Sequence, residues 1–303
     1  TAMTTAHAPR SIEQYLKALR EALAGEDPAL LQDALYDAEE YLRAEVASHR
    51  DRSEADVLEI IASTYGAPEE VADAYRNTER RVREALAPPV RQPARTALGR
   101  FFGVFGDSRA WTSLFYALLA LGTGIVYFTV TVTGLALSAG LAILVIGVPF
   151  FLLFIGLTRV LALAEGRLVE ALLGQRMPRR PPYPGKGLPF STRIKEMLVD
   201  RRTWTTLLYF GLMLPLGVVY FTVAVTGLAI SVGLILAPLA GWLTETGGLH
   251  IDGVYTVPEP WAALVAIPLG ILLLTLAMHL FRGIGLLHGG LAKHLLVAQS
   301  RAD

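Results

Sequence analysis

Two long stretches of the chain carry neither a charged residue nor a histidine. The first runs from Ala110 to Thr158 and the second from Thr203 to Thr244. Because a membrane-spanning helix needs only about 20 mostly apolar residues, each stretch is longer than one span requires. Within them, the phrases YFTVTVTG and YFTVAVTG alternate as a half-buried strand would. An open strand in lipid leaves its backbone groups unpaired, so we interpret both phrases as helical.

The two apolar stretches resemble each other. When residues 107–141 are aligned with residues 200–234, 22 of 35 positions are identical. A second similarity joins RVLALAEGRLVEALLG, which begins at Arg159, to RGIGLLHGGLAKHLLV, which begins at Arg282. The offset is 93 residues in the first pair and 123 in the second, so the second copy holds 30 additional residues. We interpret the pattern as a tandem duplication of a unit that crosses the membrane twice.

Four transmembrane helices are therefore predicted, two in each repeat. Their approximate bounds are 111–134 and a return span ending at 158, then 204–227 and 261–281. The segment 228–242 is interrupted by Gly233, Pro238 and Gly241. We interpret this segment as a re-entrant or interfacial helix, and a full fifth span is the alternative.

The basic residues favour four spans over five. With four spans, the long outer loop at 243–260 contains acidic residues but no lysine or arginine. The bases fall together on the opposite side: Arg109, Arg159, Arg167, Arg176, Arg179, Arg180, Lys186, Arg193, Lys195, Arg201, Arg202, Arg282 and Lys293. The positive-inside rule then places both termini in the cytoplasm. Residues 1–27 are polar and charged and lack the pattern of a signal peptide, which agrees with a cytoplasmic N-terminus.

The first 86 residues have a different composition from the apolar part. They contain 18 acidic residues against 10 lysines and arginines, so the remainder of the chain carries the balancing positive excess. Helix start signals occur at Ser11, Asp27 and Ser53, and Gly66 is a stop signal. These signals predict a small bundle of about four short helices at 1–86. The fold class is thus all-α: a polytopic helical membrane protein with an N-terminal cytoplasmic bundle.

Three phrases of this N-terminal part resemble a known signalling module. They are YLKALREAL, ALYDAEEYLRAEV and SEADVLEIIASTYGAPEEVADAY, which together cover roughly residues 11–78. They are similar to the HAAS domain, a small helical module at the cytoplasmic N-termini of bacterial membrane proteins. The resemblance implies association with PadR-type transcriptional regulators or related membrane signalling systems, and it does not imply catalysis.

The second predicted helix carries an acidic face. One interpretation is a docking surface for a basic protein partner, and the other is an ordinary solvated face. Nucleic acid is not expected to bind here, because the negative charge would repel phosphates. The residues of the candidate partner-binding face are Asp33, Asp37, Glu39 and Glu40.

The apolar repeats also resemble a known family. The phrases WTSLFY, LGTGIVYF, WTTLLYFGLMLPLGVVYF and LFRGIGLLHGGLAKHLL are similar to the "Putative sensor" domain of bacterial membrane proteins and some histidine kinases. The similarity covers nearly all of 107–299. It implies a sensory role and a location in the bacterial inner membrane.

Connecting segments complete the predicted domain order. Residues 87–110 are a proline-containing basic linker with an interfacial segment, and they precede the first repeat at 111–176. The basic, proline-rich connector 177–203 is expected to lie over the anionic inner leaflet. The second repeat occupies 204–303 and ends in an interfacial helix. Direct nucleic-acid binding by these bases is not expected.

The chain offers little for catalysis or metal binding. There is no cysteine, and we find no phosphate-binding loop, nucleophile elbow or zinc-protease helix. His250 lies near Asp252 in the outer loop, while His279, His288 and His294 are best explained by packing at the interface. We therefore expect no enzyme activity, no cofactor and no metal site. Homo-oligomerisation is left open.

Hydroxyl side chains recur at equivalent places in the two repeats. They could line a pocket for a lipid or small amphiphile, or simply join helices and anchor them at the interface. The candidate intramembrane ligand residues are Tyr127, Thr129, Thr133, Tyr220, Thr222 and Thr226. Membrane lipids are the expected partners at this site.

The leading functional hypothesis is a membrane sensor or regulator. It would pass an envelope or lipid signal to a cytoplasmic partner, such as a PadR-like regulator, through its N-terminal domain. The alternatives are a transport or lipid-handling protein and an accessory subunit of a membrane complex. The lack of paired acidic residues in the apolar stretches argues against ion-coupled transport.

Overall fold

The computed structural model describes residues 9–85, 96–142, 147–180, 198–243, 249–251, 254–256 and 260–297. The chain divides into two units, which are treated separately below. The first unit comprises Thr1–Arg91, Arg176–Val199 and Val297–Asp303, and the second comprises Gln92–Gln175 and Asp200–Leu296. Most of the predicted basic connector, at 181–197, lies outside the described residues, as do parts of the predicted linker and outer loop.

The described N-terminal residues of the first unit, 9–85, form four helices, as predicted. They are α1 (Ile12–Ala22), α2 (Pro28–Ser48), α3 (Glu54–Thr64) and α4 (Pro68–Ala85). The three predicted start signals act as N-caps: the side chains of Ser11, Asp27 and Ser53 accept hydrogen bonds from the backbone N–H groups of Gln14, Ala29 and Asp56. Each cap satisfies one of the amides that a helix leaves unpaired at its start. We call this four-helix bundle the head.

The head has a core of its own. Apolar side chains from all four helices pack together, among them Leu19, Leu42, Ile61 and Val71. Tyr15 is fully buried in α1, and its hydroxyl donates to the carbonyl of Gly66 at 2.8 Å. Gly66 has a φ of +112°, a conformation that favours glycine, so the α3–α4 turn both requires this residue and presents its carbonyl to Tyr15.

The second unit contains the long apolar helices. A short helix, α5 (Ala97–Phe102), and a 3-10 turn (Gly103–Gly106) lead into α6 (Ser108–Leu141) and α7 (Gly147–Leu168), which ends in a π-helical turn (Val169–Leu173). Next come α8 (Arg201–Leu243), the strands β1 (Leu249–Ile251) and β2 (Val254–Thr256), and α9 (Pro260–Leu296). The two strands form an antiparallel hairpin. In the part of the chain that the structure describes, four helices are long and apolar enough to cross a membrane, and the shortest, Gly147–Leu173, has 27 residues. The chain is a multi-pass helical membrane protein.

All four long helices extend further than the sequence predicted, and α6 continues to Leu141 rather than ending at 134. Residues 228–242 continue α8 without the separate re-entrant or interfacial helix that their glycines and proline suggested. Helix α9 likewise runs unbroken past Arg282, where an interfacial helix was expected to begin, and α7 continues past Arg159. Glycine and proline interrupt helices less in an apolar medium, because neighbouring groups re-satisfy the freed backbone atoms there.

Helices α6 and α8 cross at a pair of glycines. A β-carbon on Gly124 would lie less than 3.0 Å from the Met213 carbonyl, and one on Gly217 would lie equally close to the Ala120 carbonyl. Small residues permit such close approach of helix backbones.

Candidate functional site

A cluster of polar side chains lies in the interior of the membrane unit. Glu165 is fully buried and His288 is 1% exposed, although both belong to helices of predominantly apolar sequence. Charged and titratable groups are costly in such surroundings, so they need partners. The partners are four tyrosines, and the six side chains together are called the polar network below: Tyr116, Tyr127, Glu165, Tyr209, Tyr220 and His288.

The carboxylate of Glu165, on α7, is held by three hydroxyl groups. The hydroxyls of Tyr116 and Tyr209 lie 2.5 and 2.8 Å from its Oε1 atom. The hydroxyl of Tyr127 lies 2.9 Å from Oε2. Helices α6 and α8 therefore both bind the single acid that α7 places in the interior.

The imidazole of His288, on α9, uses two of the same hydroxyls. Its Nε2 atom is 2.7 Å from the Tyr116 hydroxyl and 2.9 Å from the Tyr209 hydroxyl. The Nδ1 atom lies 3.3 Å from the hydroxyl of Tyr220. Tyr116 and Tyr209 thus bridge the acid and the base, and all four long helices contribute to one network.

The network follows the sequence similarity between the two hairpins. Tyr116 and Tyr209 are 93 positions apart, as are Tyr127 and Tyr220, and this is the offset of the first aligned pair. Glu165 and His288 are 123 positions apart, the offset of the second. Equivalent positions therefore supply the same residue type on the crossing helices and opposite chemistry, an acid and a base, on the returning helices.

The number of protons available on these groups assigns a donor and an acceptor to each hydrogen bond. A tyrosine hydroxyl has one proton, and an ionised carboxylate only accepts. If Tyr116 and Tyr209 donate to Glu165, their oxygens can accept from His288 only when Nε2 carries a proton. The Nδ1 atom of a neutral imidazole is then free to accept from Tyr220. This assignment satisfies every group.

One added proton would reverse several of these bonds. A protonated Glu165 donates to a tyrosine oxygen, which frees that tyrosine to donate to Nε2 of His288. The imidazole must then carry its proton on Nδ1 and donate to Tyr220. Alternatively, the added proton makes His288 an imidazolium with both nitrogens donating. The network can therefore take up one proton by rearranging its bonds.

The predicted intramembrane ligand residues divide into two groups. Tyr127 and Tyr220 belong to the polar network. The four threonines, Thr129, Thr133, Thr222 and Thr226, are exposed on the helix surfaces instead. A shared pocket lined by all six is therefore not formed, because residues two apart on a helix point in different directions. Their role in ligand binding stays a prediction.

Two of these threonines border an apolar groove between α6 and α7. The groove has a volume of about 280 Å³. Its lining residues are Thr129, Val130, Thr133, Gly134, Phe150, Leu153, Phe154 and Leu157. The aromatic ring of Phe154 packs directly over Gly134, so the groove is closed at one side by a close helix contact.

In the head, the predicted partner-binding face is also divided. Asp33 is buried, and together with Asp37 it contacts the chain segment that follows Gln175. Glu39 instead forms an ion pair with Arg43 on its own helix at 2.8 Å, and Glu40 is exposed. Docking of a separate partner on these residues remains a prediction.

The sequence interpretation missed the centre of the network. Glu165 was not singled out, and His288 was assigned to packing at the membrane interface. The available signal was the alignment itself, because it pairs Glu165 with His288 and Tyr116 with Tyr209. A polar residue at the same place in both copies of an apolar unit is a candidate for an interior contact.

Among the described residues, His279 lies apart from this site. His279 lies against Phe101, with its Nε2 atom 2.9 Å from the Phe101 carbonyl oxygen, and His250 is in β1. Among the described residues, no three acidic, histidine or cysteine side chains are grouped so that they could hold a metal ion.

One known protein family matches the region of the chain that contains the network. A family model described as "Putative sensor" matches residues 116–296, which is more than half of the chain. The matched region contains all six residues of the network. No curated protein and no solved structure matches the chain.

Proposed function

The chain belongs to the "Putative sensor" family, and from this premise we propose that it is a membrane sensor whose responsive element is the polar network. The observation that carries the proposal is that Tyr116 and Tyr209 each contact both Glu165 and His288. A change in the hydrogen bonds of one residue must therefore alter the contacts of all four long helices. A buried network that can adopt two bonding patterns is a suitable two-state element for a switch.

The output of the proposed sensor is the head. Its sequence resembles the HAAS domain, which implies a cytoplasmic protein partner of the PadR-like regulator class. The excess of basic residues around the membrane helices supports a location in the bacterial inner membrane with both termini in the cytoplasm. The similarity of the two hairpins supports an origin by duplication. The input would be an envelope or lipid signal that changes the packing of the four helices.

Hydrogen exchange of the full chain in lipid nanodiscs tests the link between network and head. Glu165→Gln keeps the size of the side chain but adds a donor where the carboxylate only accepts. We expect this variant to change the exchange rates of peptides from α2, in the head, by at least about twofold. The matched control is Val160→Ala on the same helix, because Val160 is 63% exposed and lies outside both the network and the groove between α6 and α7.

Two outcomes of this experiment would contradict the proposed link between the network and the head. If Glu165→Gln alters exchange in α6 to α9 while the head exchanges as in the unmodified chain, the network is structural and the proposed sensor function is wrong. A change in the head with Val160→Ala as large as with Glu165→Gln would show that the response is not specific to the network.

The groove between α6 and α7 supports a second candidate function, lipid handling. Its walls are apolar, and its volume of about 280 Å³ fits part of an acyl chain. Leu153→Trp would fill the groove, whereas Leu137→Trp would place the same ring on an exposed site of α6 that does not line the groove. Native mass spectrometry should then detect fewer bound lipids in the first variant only. Equal lipid binding by both variants would remove this candidate.

A further inference from the structure

The buried carboxylate of Asp33 binds a segment of the chain that is distant in sequence. Its Oδ1 atom accepts hydrogen bonds from two consecutive backbone N–H groups, those of Arg179 at 2.7 Å and Arg180 at 2.9 Å. Its Oδ2 atom accepts from Nη2 of Arg176 at 2.9 Å. All of these residues belong to the first unit. The carboxylate of Asp33 on α2 thus binds both the backbone and a side chain of the segment 176–180.

Helix α4 supplies a second acid to the same arginine. Nε of Arg176 lies 3.2 Å from Oε1 of Glu79, and the side chains of both residues are largely buried. The guanidinium group of Arg176 is therefore held between α2 and α4. Charge-assisted bonds of this kind, with the fork of arginine facing two carboxylates, are among the stronger and more directional contacts in proteins.

Arg180 makes a second set of contacts one helical turn along α2. Its Nε atom is 2.9 Å from Oδ1 of Asp37, an ion pair without the angle of a directed hydrogen bond. Its guanidinium group lies 5.5 Å from the ring centre of Tyr36. The carbonyl oxygen of Arg180 accepts from Nε2 of Gln32 at 2.5 Å. Asp33 and Asp37, one helical turn apart on α2, thus pair with Arg176 and Arg180 respectively.

From these contacts we infer that the α2–α4 face of the head is a binding groove for a bent peptide segment with two arginines four positions apart. In this structure the chain's own segment 176–180 occupies it. A partner that presents a segment of the same chemistry binds the head only by displacing residues 176–180. The inference goes beyond the proposed function, because a sensor could signal through any surface of its head.

The chemistry of the groove limits what it accepts. Asp33 pairs with two neighbouring N–H groups, a pattern that requires a turning backbone. Neighbouring N–H groups of an extended strand point to opposite sides, and those in the interior of a helix are already bonded. Two further acids, Asp37 and Glu79, require positive charge at both arginine positions. An acidic or helical partner surface does not fit.

Peptide binding to the full chain in zwitterionic nanodiscs tests the inference. The probe is a fluorescent peptide, GQRMPRRPP, which copies residues 174–182. The unmodified chain should bind it weakly because the groove is filled. The variant Arg176→Gln/Arg180→Gln empties the groove and should bind the probe at least about tenfold more tightly. Adding Asp33→Asn should abolish this gain, whereas adding Glu40→Gln, an exposed acid on the same helix, should not.

A second measurement does not depend on added peptide. The amides of Arg179 and Arg180 should exchange slowly with solvent in the unmodified chain and at least about tenfold faster in Asp33→Asn. Peptides from α1 and α3 report whether the head remains folded. Equal probe affinity with and without the arginines, or unchanged exchange at 179 and 180 in a folded Asp33→Asn variant, overturns the inference.

Discussion

Glu165 and His288 occupy equivalent positions in two similar hairpins and are joined through the same two hydroxyl groups, those of Tyr116 and Tyr209. The local environment is therefore nearly symmetric, while the chemistry of the two central residues is not. The four tyrosines of the polar network, called the symmetric cage below, can therefore accept the acid and the base in either order. This relationship makes it possible to test what stabilises the bundle. It could be the pairing of an acid with a base, or the presence of a particular residue at each of the two positions.

Exchanging the two residues tests this symmetry. Glu165→His alone places two imidazoles in the network, and His288→Glu alone places two carboxylates there. Each should lower the free energy of unfolding in detergent by about 3–5 kcal/mol, as expected when one member of a buried polar pair is lost. The double variant Glu165→His/His288→Glu should recover at least half of that loss, because the acid–base pair is restored.

The same exchange at a more exposed pair provides the control. Glu170 and Lys293 are also 123 positions apart, and Glu170 pairs with Arg167 at 3.0 Å near the end of the helix. Exchanging them should change the unfolding free energy by less than about 1 kcal/mol, the range of surface ion pairs. A double variant at 165 and 288 that is no more stable than its two parents would contradict the idea of a symmetric cage.

The four tyrosines should differ in their contributions. Tyr116→Phe and Tyr209→Phe each remove a hydroxyl that bridges Glu165 and His288, so each should lower the free energy of unfolding by about 1–3 kcal/mol. Tyr220→Phe should cost the least, because its hydroxyl has one long contact of 3.3 Å to His288. Thermal unfolding of the purified variants measures the order. A loss for Tyr220→Phe as large as that for Tyr116→Phe would show that the assigned bridges are not the important bonds.

The sequence predicted the local elements of this fold well. Capping residues are adjacent in sequence to the amides that they satisfy, so Ser11, Asp27 and Ser53 could be recognised without any tertiary information. The apolar stretches identified the long helices for a similar reason, because length and composition decide whether a helix can span lipid. Both signals are local.

The network depends on contacts that are not local. His288 follows Arg282 in a sequence that reads as amphipathic, so its polar face could equally meet water, headgroups or other helices. Periodicity shows that a face is polar, but the partner of that face is set by how the hairpins cross. Tyr127 and Tyr220 were identified because their phrase is repeated, whereas Glu165 was not, because its counterpart is a different residue type.

The head should lose stability at high pH. Burial, followed by the charge of Asp37, raises the pKa of Tyr75, and burial is also the main reason that the pKa of Tyr15 is raised. In the unfolded chain both tyrosines ionise near pH 10. Above that pH the folded head retains protons that the unfolded chain has lost, so the free energy of unfolding falls as pH rises. Below about pH 10 these two groups leave stability independent of pH.

Urea titration of the full chain measures this effect, because the head helices should lose their circular dichroism signal before the membrane helices do. Between pH 9 and pH 11 the midpoint for the head should fall in the unmodified chain. Tyr75→Phe should make the fall shallower, although it costs about 1 kcal/mol at neutral pH through the lost bond to Asp37. The same slope in both proteins would show that Tyr75 ionises equally in the folded and unfolded states.

The crossing of α6 and α8 should tolerate no added carbon at its two glycines. A β-carbon on Gly124 or Gly217 would lie less than 3.0 Å from a backbone carbonyl of the opposite helix, and backbone cannot move aside as a flexible side chain can. Gly124→Ala and Gly217→Ala should each lower the free energy of unfolding by about 1–3 kcal/mol, the usual cost of overpacking. The nearby Gly122 and Gly211 are matched controls, since a β-carbon on either would meet nothing within 4 Å. Alanine there should be neutral or slightly stabilising, because alanine is the better helix former.

The crossing of α6 and α8 also sets the distance between Tyr116 and Tyr209. The Gly124→Ala variant should therefore change hydrogen exchange in the same way as Glu165→Gln. An exchange pattern like that of the unmodified chain would show that the crossing and the network are independent.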